Sequence, residues 1–97
     1  MKLSNTNNNE LSNLSDSQLW SELKMGNPEA LNIIFFRFYN DLYFYGTKLV
    51  NDQNLVIDTI QDVFSTLWEG KNRLSDVQPI KAYLFKIFRN RSSYSDN

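Results

Sequence analysis

The 97-residue chain predicts an all-α protein, a compact bundle of three main helices preceded by a short one. Three observations carry that expectation. Apolar residues recur at spacings of three and four through most of the chain, and no stretch alternates apolar and polar residues with the period of two that a strand requires. Helix caps and stops stand at the ends of each periodic segment.

Composition narrows the class. At 41% hydrophobic and 14% aromatic residues the chain can bury a core, although one of this size stays modest. With no cysteine and no histidine it lacks a thiolate nucleophile, the usual general base and the commonest metal ligand. A non-enzymatic protein with no cofactor and no metal is expected. The first residues, MKLSNTNNNELSN, contain no apolar run fit for a signal peptide. The longest apolar run, Ile33 to Phe36, is too short to insert in a membrane. A cytoplasmic location is therefore expected.

Residues 1–14, rich in Asn and Ser, read as a disordered tail. Ser15 or Asp16 caps a short helix to about Met25, with Leu19, Trp20 and Leu23 on its apolar side. Gly26-Asn27-Pro28 ends it and starts the next, Asn27 capping and Pro28 at the first helical position.

The second helix runs from Pro28 to about Val50. Leu31, Phe35, Phe38, Leu42, Tyr45 and Leu49 form a seam, and Phe36, Tyr39, Tyr43 and Val50 form a second stripe. A helix apolar on two sides must be covered on two sides, so this one is the central pillar. Its remaining face holds Phe44 between Arg37 and Lys48, read as an aromatic packed under another helix between solvated cations.

The third helix, capped by Asn54 and stopped by a left-handed Gly70, has the most informative pattern. Asp58, Gln61, Asp62, Ser65 and Glu69 share about 100° of the helical wheel, opposite Ile57, Ile60, Val63, Phe64, Leu67 and Trp68. No cation interrupts the acidic stripe. An ordinary solvated face gains from Glu–Lys pairs of mixed sign. A one-sign face points to a basic partner, and spacing alone leaves that reading and a plain solvated face both open.

Residues 71–79 form a polar, partly basic loop, and Pro79 opens the last helix. Ile80, Tyr83, Leu84, Ile87 and Phe88 make its core side. Lys81, Phe85, Lys86 and Arg89 make its outer side, placing Phe85 outward among cations. Such an aromatic either stacks on the bases of a single strand or caps a core edge. The charge is divided along the chain. Residues 1–70 carry four cations and nine carboxylates, residues 71–97 six cations and two carboxylates. That asymmetry implies two surfaces, one for a basic partner and one for an acidic partner.

Four segments in order resemble region two of bacterial sigma factors of the extracytoplasmic-function (ECF) group, most closely the Bacteroidetes type. They are Leu19-Trp20 with Gly26-Asn27-Pro28-Glu29-Ala30-Leu31, then the aromatic run Phe35 to Tyr43. Asp58-x-x-Gln61-Asp62-Val63-Phe64-x-x-Leu67-Trp68 follows, and Ile80 to Asn90 is the last. The resemblance covers about residues 16–90. It implies a sigma region-two helical domain over residues 15–91 and a frayed tail over 92–97. It also implies that Asp58, Gln61 and Asp62, with Ser65 and Glu69 on the same face, dock onto the basic coiled coil of the β′ subunit of core RNA polymerase. The loop and last helix would then hold the non-template strand of the promoter's minus-ten element, through Lys71, Asn72, Arg73, Lys81, Phe85, Lys86, Arg89, Asn90 and Arg91. An anti-sigma factor is a further partner that the resemblance implies. After Asn90 the sequence departs from the family's continuing helix, and no counterpart of region four, which reads the minus-thirty-five element, is present. The alternative is a helical module that binds polymerase or an anti-sigma factor without opening DNA.

Overall fold

The computed structural model describes residues 11–76 and 79–92. It contains four α-helices and one 3₁₀ turn: α1 (Asp16–Lys24), α2 (Pro28–Leu49), α3 (Gln53–Glu69), η1 (Lys71–Arg73) and α4 (Ile80–Ser92). No strand occurs among the described residues. The expected all-α bundle is what forms.

Local chemistry sets most of the boundaries. The Ser15 hydroxyl accepts from the Gln18 amide at 3.2 Å while the Ser15 amide donates to Gln18 Oε1 at 2.9 Å. This reciprocal cap supports a nine-residue helix that is too short to persist on propensity alone. Gly26, at φ 92°, makes the left-handed turn out of α1. Asn27 then caps α2 through the Glu29 amide at 3.0 Å, with Pro28 inside the first turn.

Two caps differ from expectation. Asp52, rather than Asn54, opens α3 by accepting from the Leu55 amide at 3.2 Å, because the helix begins earlier than its apolar pattern. Gly70 has φ −99° and is not left-handed; the chain tightens directly into η1 instead of reversing.

α2 is the pillar, packed against α1, α3 and α4. Its buried row is Ala30, Ile34, Phe38, Leu42 and Gly46, a straight ridge spaced by four. Only Phe38 and Leu42 of the predicted seam belong to it. Leu31, Phe35 and Tyr45 are half-buried and Leu49 is exposed. The second stripe is likewise split, with Tyr39, Tyr43 and Val50 half-buried and Phe36 exposed. The seam misleads because it is drawn through large side chains and misses Ala30 and Gly46, which complete the buried row. At Gly46 an added Cβ would stand 2.6 Å from Phe88 Cζ and 2.7 Å from Val56 Cγ1.

The core continues with Leu19, Trp20 and Leu23 from α1, Val56, Ile60, Val63, Phe64 and Leu67 from α3, and Ile80, Leu84 and Phe88 from α4. Trp20 joins three elements. Its indole N–H donates to the Ser75 carbonyl at 2.9 Å, and its ring meets Tyr83 edge-on at 5.7 Å.

Residues 11–14 do not behave as part of a disordered tail. Leu11 is buried and Leu14 packs against the core. Arg37 holds this turn, its guanidinium donating to the Ser12 carbonyl (2.9 Å), the Leu14 carbonyl (3.1 Å) and the Asp16 carboxylate (2.8 Å). Arg37 is thus a clasp and not a solvated cation. Ser92, expected in the C-terminal tail, is the buried last residue of α4. The disorder expected for residues 1–10 and 93–97 lies outside the described residues.

Candidate functional site

Burial of Val56, Ile60, Val63, Phe64 and Leu67 on the inner side of α3 forces the opposite side outward. Asp58, Gln61, Asp62 and Ser65 are exposed there and Glu69 lies at the end of the same face, as their spacing predicts. Among the described residues, the ion pairs are Lys24–Asp76, Arg37–Asp16 and Lys81–Asp41. None involves Asp58, Asp62 or Glu69.

Beside it, α2 and α3 enclose an open groove of about 430 Å³ lined by Leu31, Asn32, Phe35, Gln61, Phe64, Ser65, Trp68 and Glu69. Phe35 meets Phe64 edge-on at 5.1 Å across the groove. Phe36 touches Phe35 edge-on at 5.4 Å and is 71% exposed. Sequence reasoning assigned Phe35 to a core seam and did not foresee the groove, since its lining comes from the start of α2 and the end of α3, about 30 residues apart in sequence. The one signal available was the excess of large apolar positions on α2 over what a single seam can bury.

The nine residues expected to meet DNA are in two places. Lys71, Asn72 and Arg73 form η1, which packs against α1 and α3. Lys71 is half-buried, its ammonium 3.9 Å above the Trp68 ring centroid and 3.3 Å from the Trp68 carbonyl that accepts from it. Asn72 and Arg73 are exposed.

On α4, Lys81, Phe85 and Arg89 lie along α2 and share partners there. Lys81 pairs with Asp41 at 3.3 Å and stands 5.9 Å from the Phe85 centroid. Arg89 donates to the Tyr45 hydroxyl at 3.0 Å. Phe85, expected to point outward among cations, is half-buried and stacked parallel on Tyr45, with centroids 4.3 Å apart and planes within 4°. Tyr45 covers one face of that ring, so Phe85 caps a core edge. Phe44, expected beneath another helix, is instead 65% exposed.

Arg91, further along the helix, donates to Thr66 Oγ1 on α3 at 2.6 Å. Lys86 and Asn90 are exposed. The cationic residues thus divide into Lys71, Lys81, Arg89 and Arg91, which hold the contacts within the fold just described, and Arg73 and Lys86, which carry no ion pair there.

Among the described residues, no group of His, Cys, Asp or Glu is placed to hold a metal ion. No helix there is long and apolar enough to cross a membrane. Comparison of the chain with protein-family models, with curated proteins and with solved structures gave no match.

Proposed function

We propose that the chain is the region-two domain of an ECF-type sigma factor. It docks on the β′ coiled coil of core RNA polymerase through the α3 face and uses η1 and α4 to recognise and open the minus-ten element. The reading places the chain in the cytoplasm, with an anti-sigma factor as a further partner.

The observation that carries it is the outward one-sign face Asp58, Gln61, Asp62, Ser65 and Glu69, which no ion pair among the described residues neutralises. It is complementary to a basic coiled coil and unsuited to phosphate. The cations of η1 and α4 suit the opposite task, since neutralised phosphates supply much of the affinity for nucleic acid. Unstacking duplex costs a few kcal/mol per step, recovered when the single strand is held along a cationic surface. Tethering to polymerase raises the local concentration, so the isolated domain binds promoter DNA weakly.

Charge reversal tests both halves. Asp58→Lys with Asp62→Lys removes binding to a β′ coiled-coil fragment. Arg73→Glu with Lys86→Glu leaves that binding intact and lowers affinity for a minus-ten single strand in the presence of core polymerase. Retained fragment binding after the α3 reversals would refute the docking role.

A second reading, a polymerase- or anti-sigma-binding module that does not open DNA, draws on one observation. Phe85, Lys81 and Arg89 are engaged with Tyr45, Asp41 and each other. Single-strand binding indifferent to Arg73→Glu and Lys86→Glu would decide for this module.

A further inference from the structure

The groove between α2 and α3 adjoins the carboxylate face but has a different chemistry. Its floor is Leu31, Phe35, Phe64 and Trp68, of which only Phe64 is fully buried. Phe36, packed edge-on against Phe35, extends the apolar surface outward. Its α3 rim is polar and acidic at Gln61, Ser65 and Glu69, and Asp58 and Asp62 continue the acidic line along the same helix.

An occupant must therefore be apolar where it enters and cationic where it passes the rim. A helix laid into a groove between two helices presents apolar anchors at intervals of three and four, with other residue types between them. Flanking cations on such a helix would lie one or two turns from the anchor, a spacing matched on α3 by Asp62 and Glu69, one turn either side of Ser65, and by Asp58, two turns before it.

We propose that this groove seats an apolar anchor side chain from a basic amphipathic helix of the partner protein, whose flanking cations lie against Asp58, Asp62 and Glu69. The inference rests on the docking role given to the α3 face and adds what secures it. Charge selects and orients the partner helix, and the apolar anchor holds it. Exposed charge pairs weaken as the Debye length shrinks from about 10 Å at 0.1 M salt to about 3 Å at 1 M, whereas apolar burial persists. Binding to the β′ coiled-coil fragment is therefore expected to outlast the salt range over which the carboxylates matter.

Two groove-filling variants test this from opposite walls, Ser65→Phe on α3 and Asn32→Trp on α2. Both positions line the open groove, and thermal unfolding checks that each variant folds. Binding of the β′ fragment is measured at about 0.1 M and about 1 M salt. Expected is a drop of about tenfold or more for either filled variant at both salts, while Asp58→Lys with Asp62→Lys is most damaging at low salt. Trp68 supplies a second readout, its emission shifting when the anchor covers it; Trp20 is buried and unaffected.

If both filled variants bind as tightly as the parent at 1 M salt while the charge reversals abolish binding, docking stands and the anchor is refuted. If the parent does not bind the fragment, the docking role fails and the anchor fails with it. Binding of the apolar dye ANS in the groove without displacement by the fragment would assign it to a small ligand. A chain dimeric on its own, made monomeric by Ser65→Phe, would assign it to a second copy. Either result overturns the proposal.

Discussion

Gly46 on α2 lies directly under the Phe88 ring of α4, so close that a Cβ would come within 2.6 Å of Phe88 Cζ. Val56 of α3 crowds the same point at 2.7 Å. Three helices meet here because one of them has no side chain. Gly46→Ala is expected to lower stability by about 1–3 kcal/mol through overpacking, exceeding the gain of up to about 1 kcal/mol from replacing a helical glycine. Urea unfolding gives the sign; a stabilised variant would show that the junction yields.

Arg37 joins α2 to the turn before α1 through three acceptors. Arg37→Ala should cost about 1–2 kcal/mol, below the full worth of charged hydrogen bonds because the site is partly exposed. It should also open residues 11–14 to limited proteolysis. Arg37→Lys should restore little, since an ammonium cannot reproduce the guanidinium fork. Protease resistance equal to the parent in both variants would mean that Leu11 burial alone holds the turn.

The caps offer a graded test. Asp52→Ala and Ser15→Ala should each cost about 1 kcal/mol. Ser15→Ala should destabilise α1 locally, read as faster amide exchange at Leu19 and Leu23, whereas Asn54→Ala should be nearly neutral. An Asn54 effect larger than that of Asp52 would contradict the observed start of α3.

On α4, the cations should differ in how they affect single-strand binding. Lys86→Glu reverses a charge that holds no ion pair in the described fold and should lower affinity with no change in stability. Arg91→Glu also breaks the bond to Thr66 and should lower both. For each phosphate that is no longer neutralised, the slope of log affinity against log salt should fall by about 0.7. Unchanged salt slopes in both variants would remove α4 from the nucleic-acid surface.

The difference between Asn54 and Asp52, or between Leu49 and Gly46, shows where local reading runs out. Helix number, the Asn27-Pro28 start and the outward carboxylates of α3 were legible, because each depends on side chains within about one turn of one another. The core of α3 was legible for the same reason: Val63, Phe64 and Leu67 lie opposite an unbroken polar stripe.

What only the tertiary structure decided is which surfaces meet. The buried ridge of α2 runs through Ala30 and Gly46, which carry little hydrophobic signal, and at Gly46 both α3 and α4 close in on the backbone. Tyr45 covers Phe85, Arg37 is drawn inward, and the groove opens beside Phe35, all through partners distant in sequence. Periodicity determines which side of a helix is apolar. The distance at which another helix arrives decides which of those apolar residues is buried and which is left for a partner.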